Sequence, residues 1–202
     1  MLPARRRATP SRVSLVSRKR LKPRLLLVYV AAAVALWASQ PTPLTLSLGL
    51  VLVAIGEGLR IWATGYLHKT ESLTVAGPYA YLRHPLYAGT LLIAGGFATM
   101  AGTQLAAIVL TLFVLTYFAY YMPYKNRIEG ARLEEIFGDA FRRYAVAVPR
   151  LVPRLHPYTP LGGDASGSVV WRSERFADNN ETGTAVAVGI GVLAMAARGF
   201  LF

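Results

Sequence analysis

The chain of 202 residues has the length of a single domain, but its composition excludes an ordinary soluble one. Hydrophobic residues make up 54% of it, charged residues only 16%, and the mean hydropathy is +0.40. The absence of cysteine excludes disulfides, thiolate metal sites and thiol nucleophiles. The net charge of +12 comes largely from basic residues that flank apolar runs, so we expect a membrane bilayer with anionic headgroups as the partner, and no nucleic acid.

Apolar residues are gathered in blocks long enough to cross a membrane. A helix needs about 20 mostly apolar residues to span a bilayer core of about 30 Å. Five blocks meet or approach this length: 25–39, 44–67, 87–101, 104–124 and 184–202. The third and fourth are separated only by Gly102 and Thr103, as in a tight helical hairpin. The sequence therefore predicts an all-α, polytopic membrane helical bundle of about five transmembrane helices plus a cytoplasmic amphipathic helix.

Basic residues predict the orientation of these spans. Nine of the 22 Lys and Arg precede the first span, and the positive-inside rule places such a segment in the cytoplasm. Counting spans returns residues 69–83 and 125–181 to the same side with 11 more basic residues, whereas the two opposite loops hold none. We therefore expect an integral, multi-pass membrane protein whose N-terminus and active site face the cytoplasm.

The changes of composition along the chain predict four parts. Residues 1–24 form a basic tail without apolar periodicity, which we expect to be disordered. Residues 25–155 form the membrane core, which includes an amphipathic helix over 132–146 with apolar residues at spacings of three and four. Residues 156–183 form a cytoplasmic linker that begins rich in Pro, Gly and Ser. Residues 184–202 form a C-terminal transmembrane helix.

The segment 77–89, which reads GPYAYLRHPLYAG, has an unusual composition for a connector between two spans. Pro85 suits the first position of a helix, which makes His84 its N-cap. Such a helix start attracts anions through free backbone N–H groups and a partial positive charge. Arg83 and His84 add hydrogen-bond donors there, so the residues favour an anion site at the entrance to the third span.

The tyrosines and glycines of this segment allow two interpretations. Tyr79, Tyr81 and Tyr87 offer aromatic faces that can accept a sulfonium or an adenine, and Gly89 makes room for a ligand or for a neighbouring helix. The same residues fit a plain membrane-interface loop, in which Arg and His meet phosphate headgroups and the tyrosines form an aromatic belt.

Two blocks of this sequence resemble a known family. Residues 83–89 (RHPLYAG), after the lead-in GPY at 77–79, are similar to the RHPxYxG signature of the isoprenylcysteine carboxyl methyltransferases and the related phospholipid methyltransferases. Residues 127–150, which begin RIE and end VPR, are similar to the second block of that family. The resemblance covers about residues 44–155. Gly130 replaces the second Glu of the family's usual pair, which removes one carboxylate from the site.

The resemblance implies a membrane-embedded enzyme that uses S-adenosylmethionine as its methyl donor. It implies that the cofactor enters from the cytoplasm and that a lipid or lipidated substrate enters from the bilayer. Carried over residue by residue, it places His84, Pro85 and Tyr87 along the cofactor. Gly89 gives the cofactor room, and Glu129 binds it or helps to fix the pocket.

The chemistry of the methyl donor agrees with these positions. S-adenosylmethionine carries a sulfonium, an ammonium and a carboxylate. Tyr79 or Tyr87 and Glu129 can serve the two cations, and Arg83 with His84 at the helix start can serve the carboxylate.

The methyl acceptor is left open between two classes. A carboxylate of an isoprenylcysteine-like small molecule or peptide needs no general base, and we expect this acceptor first. A phospholipid amine must first lose a proton, with His84 or Glu129 as the candidate catalytic base. A third possibility is a non-catalytic membrane scaffold or small transporter, although the spans show no pair of interrupted helices typical of transporters.

Two charged residues, Glu57 and Arg60, lie within the second apolar block. Their spacing of three puts them on one helix face, so we expect an intrahelical ion pair there, with a functional role as the alternative. His68 and His156 lack the spacings of a zinc site, and we predict no metal site.

Overall fold

Helices make up the regular structure of the protein in the computed structural model, which describes residues 23–67, 72–160, 170–179 and 181–201. The predicted basic tail up to residue 22, His68 and residues 161–169 of the predicted linker lie outside the described residues. Seven α-helices form within them, in this order: α1 Pro23–Ala38, α2 Pro43–Tyr66, α3 Pro85–Met100, α4 Gln104–Thr116, α5 Met122–Ala147, α6 Glu174–Asp178 and α7 Glu181–Leu201. A 3₁₀ turn, Gly77–Ala80, precedes α3, and a π-helical turn, Tyr117–Tyr121, joins α4 to α5.

Three stretches of helix among the described residues are long and apolar enough to cross a membrane. They are Pro43–Tyr66, Gln104–Ala147 and Glu181–Phe200, and α3 is a shorter apolar helix. The predicted helical membrane bundle is confirmed. The long candidates are fewer than the five predicted spans because α1 and α3 have 16 residues each, below the length of a full crossing.

The surface of the bundle is unusually apolar. Large side chains such as Trp37, Leu112 and Leu193 are more than half exposed, which in a water-soluble protein would be a severe aggregation hazard. Small residues line the interior instead, with Ala35, Ala63 and Ala106 fully buried. Lipid tails cover exposed apolar side chains without cost, so this arrangement fits a bilayer.

Glycines bring α2 and α3 into close contact. A Cβ at Gly56 would lie 2.7 Å from the Gly89 carbonyl oxygen, and a Cβ at Gly96 would lie 2.6 Å from the Gly49 carbonyl oxygen. Both distances are impossible for a real side chain. The absence of side chains therefore lets the two backbones touch, as in other membrane helix pairs.

Compact caps close one end of the bundle, which we call the turn end (residues 37–43, 101–104 and 198–199). The Gln40 N–H donates to the Ala101 carbonyl over 2.8 Å, and the Thr103 hydroxyl donates to the Ala38 carbonyl over 2.8 Å. Arg198 of α7 donates to the carbonyls of Trp37 and Ser39, where its charge favours the negative end of the α1 dipole.

At the opposite end, which we call the site end (residues 57–66, 72–90, 144–158 and 170–181), the chain is more elaborate. Residues after the membrane core fold back onto the last turn of α2. The Arg172 N–H and the Arg175 side chain both donate to the Gly65 carbonyl over 3.0 Å, and Asn179 reaches the Thr64 carbonyl. These contacts satisfy carbonyls that the end of a helix leaves open.

One long helical stretch replaces two separate predicted helices. The predicted fourth span and the amphipathic helix over 132–146 are joined without a break, from Gln104 to Ala147. At 1.5 Å per residue the part from Gln104 to the kink at Gly138 already extends about 50 Å, well over the bilayer core of about 30 Å, so the stretch must leave the apolar layer. Inside it Gly138 has φ 50° and ψ −124°, a kink that turns the last part of α5 toward the site end.

Candidate active site at the start of helix α3

The helix start predicted at Pro85 is confirmed. His84 is the N-cap residue of α3 and Pro85 occupies its first turn. His84 makes no side-chain capping hydrogen bond, and its ring lies 5.3 Å from the ring of Tyr87 at a tilt of 37°. The imidazole is therefore held beside Tyr87 and is not used to close its own helix.

The two sequence blocks are joined by the main chain at this point. The Arg83 N–H donates to the Pro149 carbonyl over 2.8 Å, and the His84 N–H donates to the Arg150 carbonyl over 3.1 Å. Two further bonds, Arg154 N–H to the Tyr81 carbonyl and Tyr158 N–H to the Ala80 carbonyl, add to this main-chain junction. Residues 80–84 and 149–158 thus form one unit, although they are far apart in the chain.

Tyr144 fixes the same junction from the side of α5. Its buried hydroxyl donates to the Tyr79 carbonyl over 2.9 Å, and its ring makes an edge contact with Tyr158 at 5.5 Å. Burial raises the pKa of the Tyr144 phenol, so it remains protonated and can keep donating this bond at any physiological pH.

Glu129 lies on α5 and is exposed. Burial raises the pKa of the Tyr79 phenol, and the negative charges of Glu181 and Glu129 raise it further, along with Tyr144. The carboxylate of Glu129 is therefore within electrostatic reach of Tyr79. A Cβ at Gly130 would meet no atom within 4 Å, so the position where the family's second Glu is expected is open.

His84 is a neutral imidazole in basic surroundings. Burial lowers the pKa of His84 to about 4, and the charges of Arg83 and Arg150 act in the same direction. At neutral pH the ring can donate one hydrogen bond and accept another, but it carries no charge. The positive charge at the helix start belongs to the two arginines.

Arg83 has an unused donor. Its Nε atom is buried and has no hydrogen-bond partner among the described residues. Burial, followed by the charge of Arg150, lowers the pKa of Arg83, yet a guanidinium stays charged at neutral pH. A buried, charged donor without an acceptor is a site prepared for an anion.

Gly89 faces α2. A Cβ there would lie 2.5 Å from the Arg60 Cγ atom and 2.7 Å from the Gly56 carbonyl oxygen. The space that this glycine leaves is taken by the neighbouring helix, which is the second of the two uses predicted for it. Its role toward a cofactor stays a prediction.

The predicted ion pair between Glu57 and Arg60 is wrong. Arg60 pairs instead with Glu181, at 2.5 Å between Nη2 and Oε1, and its Nη1 donates to the Leu86 carbonyl and the Thr90 hydroxyl. Both carboxylate oxygens of Glu57 are buried without a partner among the described residues. Three acceptors on α3 and α7 draw the guanidinium away from its neighbour on α2.

An apolar cavity of about 580 Å³ opens beside the helix start. It lies between α2, α3 and the chain that pairs with residues 80–84. Its wall is apolar apart from one tyrosine and one tryptophan: Leu59, Trp62, Tyr81, Leu82, Ala88, Leu91, Leu92, Leu151 and Pro153. Tyr81 and Leu82 precede the Arg83-His84 pair in the chain and Ala88 follows it, so the same segment supplies the polar pair and part of the cavity wall.

The structure adds two residues to those proposed from the sequence. Arg150 stands beside His84 and Arg83, and the VPR ending of the second block was the available signal. Glu181 reaches Arg60 from α7, and its only signal was a lone acid at the start of the last apolar run. Within the described residues no group of three or more His, Asp and Glu side chains is placed to hold a metal ion.

Comparison with known proteins agrees with this arrangement. Residues 44–140 match the family described as phospholipid methyltransferase. No solved structure matches the chain. The matched segment runs from α2 to the Gly138 kink of α5 and includes both predicted cofactor positions, the helix start and Glu129.

Several curated proteins are similar to about half of the chain. The cobalt-zinc-cadmium resistance protein CzcN of Cupriavidus metallidurans is 35% identical over 124 residues, 60% of this chain and 54% of that protein. Protein-S-isoprenylcysteine O-methyltransferase B of Arabidopsis thaliana is 30% identical over 52% of this chain and 57% of its own. The Schizosaccharomyces pombe protein-S-isoprenylcysteine O-methyltransferase is 28% identical over 50% of this chain and 42% of that protein.

The chain spans about half the length of the curated relatives that it matches. The family match over residues 44–140 includes α2, the helix start of α3 and the first part of α5. With the two blocks joined by the main chain, these matches support the resemblance to the isoprenylcysteine carboxyl methyltransferases and phospholipid methyltransferases.

Proposed function

We propose that the protein transfers a methyl group from S-adenosylmethionine to the carboxylate of a lipidated, isoprenylcysteine-like acceptor at the cytoplasmic face of a membrane. One observation carries the proposal. A basic pair, Arg83 and Arg150, lies beside a neutral His84, and the neighbouring residues Leu82 and Ala88 line an apolar cavity of about 580 Å³. A ligand with a lipid tail and a carboxylate head matches both halves.

The residues at the helix start fit the methyl donor. The buried Arg83 Nε is a charged donor without a partner among the described residues, and it suits the carboxylate of an amino acid. The Tyr87 ring beside His84 offers an aromatic face to a cation, and Glu129 offers a negative charge to an ammonium. The predicted contacts of Tyr79 and Pro85 would come from their backbone, since both residues are buried.

When bound, S-adenosylmethionine supplies a methyl group that is already activated for displacement. The protein's own residues have to align the acceptor oxygen with it and exclude water. The apolar cavity holds the lipid portion of the acceptor, while Arg150 holds its carboxylate by charge. A carboxylate oxygen attacks without losing a proton, so the reaction requires no base from the protein.

The same electrostatics favour the carboxylate over the amine acceptor. A protonated amine is repelled by two arginines, and a His84 with a pKa of about 4 is too weak a base to deprotonate it. Glu129 would remain as the candidate base for amine methylation. We therefore place the carboxylate first and keep the phospholipid amine as the alternative outcome of the test.

Charge supports the proposed orientation. The site end carries Arg83, Arg150, Arg154, Arg172 and Arg175, whereas the turn end, within the described residues, carries Arg198 alone. By the positive-inside rule this charge difference supports a site end that faces the cytoplasm, and the three long apolar stretches of helix support a multi-pass protein.

The deciding experiment supplies methyl-labelled S-adenosylmethionine to purified protein with a farnesylcysteine analogue or with phosphatidylethanolamine. We expect label that leaves as methanol after mild base, as an ester does. Base-stable label on the phospholipid would establish the amine route instead. His84→Ala should lose donor affinity while the melting temperature is retained. Absence of both label transfer and donor binding in the parent protein would favour a non-catalytic scaffold.

A further inference from the structure

The last described helix, α7, contributes a buried charged residue that contacts α2 at the site end of the bundle. Glu181 is the first residue of α7 and is 4% exposed. It lies outside the segment 44–140 that matches the family, yet its carboxylate contacts Arg60 of α2, inside that segment. The Nε of Arg60 donates to the Glu181 Oε1 over 2.6 Å, and Nη2 lies 2.5 Å from the same oxygen.

The other face of the Arg60 guanidinium reaches the first turn of α3. Its Nη1 donates to the Thr90 hydroxyl over 2.6 Å and to the Leu86 carbonyl over 3.2 Å. Thr90 in turn donates to the Leu86 carbonyl over 2.9 Å. Leu86 directly follows the His84-Pro85 pair, so Arg60 holds the turn of helix that carries the candidate site.

These contacts form a chain of charge-assisted hydrogen bonds from α7 to the site. A planar guanidinium can satisfy acceptors on two sides only if its orientation is fixed, and a paired carboxylate fixes it. Glu57 provides a contrast within the same helix. Its carboxylate is also buried and feels the charges of Arg60 and Glu181, but it accepts no hydrogen bond from the described residues.

We propose that Glu181 of α7 is a positioning residue, which orients Arg60 so that the helix start at His84-Pro85-Tyr87 is held in its binding geometry. In this role Glu181 contacts neither the methyl donor nor the methyl acceptor, and it acts only through Arg60. The proposal rests on the proposed function for its binding readout, and on the contacts alone for its structural readout.

The first test is donor binding to purified protein in detergent, measured by calorimetry. We expect Glu181→Gln to weaken S-adenosylmethionine binding and to raise its KM about tenfold or more with a smaller change in kcat, because small misplacements of a binding group have large effects. The matched control is Glu57→Gln, which removes a buried carboxylate three residues from Arg60 without breaking a hydrogen bond. It should leave the donor Kd within about twofold of the parent value, as expected for a group outside the chain of contacts.

A charge swap separates positioning from simple tethering. In the double variant Arg60→Glu with Glu181→Arg the ion pair can reform between α2 and α7, so the melting temperature should recover relative to Arg60→Glu alone. A carboxylate at position 60 cannot donate to the Leu86 carbonyl, so donor affinity should stay low. Recovery of both quantities would overturn the proposal, since Glu181 would then only tether α7.

Hydrogen exchange over residues 84–90 reads the same contacts without any donor. We expect faster exchange there in Glu181→Gln and no change in Glu57→Gln. If the parent protein bound no S-adenosylmethionine but exchange still rose in Glu181→Gln, the proposed function would fail and the positioning role would stand. Unchanged exchange and unchanged donor affinity in Glu181→Gln would overturn the positioning role itself.

Discussion

The two ends of the bundle solve different problems. At the turn end, Gln40, Thr103 and Arg198 satisfy the carbonyls of α1 and α3 in a short, closed set of caps. The site end has many more polar side chains, and every buried side-chain atom without a partner among the described residues lies there, on Glu57, Arg83 and Asn179. Buried polar groups normally find partners. The difference indicates that the turn end is built for stability, whereas the site end is built to receive a ligand.

The largest expected effect comes from making the same substitution at each end. Arg83→Met should lower kcat/KM for methyl transfer about 100-fold, because loss of one side of a buried charged contact costs about 3 kcal/mol. Arg198→Met at the turn end should lower the melting temperature and leave kcat/KM of the folded protein unchanged. Comparable losses of kcat/KM in the two variants would show that the ends do not differ in function.

The pH dependence of the site end is the next largest effect. The pKa of His84 is about 4 in the folded protein, below its ordinary value of 6.5. Between these two pH values His84 is therefore protonated in the unfolded chain and neutral in the folded chain. The free energy of unfolding is therefore unaffected by the titration of His84 above pH 6.5 and decreases by about 3 kcal/mol as the pH falls to 4. Melting temperatures between pH 7 and 4 measure it, and His84→Ala should flatten the curve. A His84-dependent limb near pH 6.5 in kcat/KM would contradict this.

A smaller effect tests how firmly the two sequence blocks are joined. Tyr144→Phe removes the hydroxyl that bonds to the Tyr79 carbonyl and leaves a buried acceptor unsatisfied, which should cost about 2 kcal/mol in the free energy of unfolding. Tyr158→Phe keeps the ring contact with Tyr144 and should change stability little. Equal effects in chemical denaturation would mean that the hydroxyl bond does not hold the junction.

The smallest effect compares two glycines of α5. Gly138 has φ 50° and ψ −124°, so Gly138→Ala should cost about 1 to 2 kcal/mol of stability from backbone strain alone. Gly130 is within the helical run and has open space at its Cβ, so Gly130→Ala should stabilise by about 0.5 to 1 kcal/mol. The melting temperatures of the two variants should therefore shift in opposite directions. A shift of both in the same direction would contradict the backbone strain expected at Gly138.

Local signals in the sequence predicted the features that depend on local physics. Apolar block length located the membrane helices, and Pro85 marked the start of α3 because its fixed φ and missing N–H suit a first turn. The amphipathic pattern found the second half of α5. The π-helical turn that fuses α4 with α5, and the positive φ of Gly138, were not predicted because the apolar and helical patterns continue through both.

Contacts between residues far apart in the chain could not be predicted from the sequence. The spacing of Glu57 and Arg60 favoured a local ion pair, but the guanidinium finds better partners on Leu86, Thr90 and Glu181, the last of them 121 positions away. The low pKa of His84 likewise depends on Arg150, which only the folded chain brings to it. The residue types predicted a polar site, but which charged residues contact each other depends on tertiary packing.

The main-chain bonds between residues 80–84 and 149–158 have a consequence for how the sequence of this chain can change over evolutionary time. These bonds run between main-chain N–H and carbonyl groups, which every residue except proline can supply in full. Side chains such as Leu151 and Pro153, which line the apolar cavity, can therefore be exchanged without undoing the junction. The lining of the cavity can diverge among descendants of this chain while the helix start at His84 and Pro85 keeps its shape.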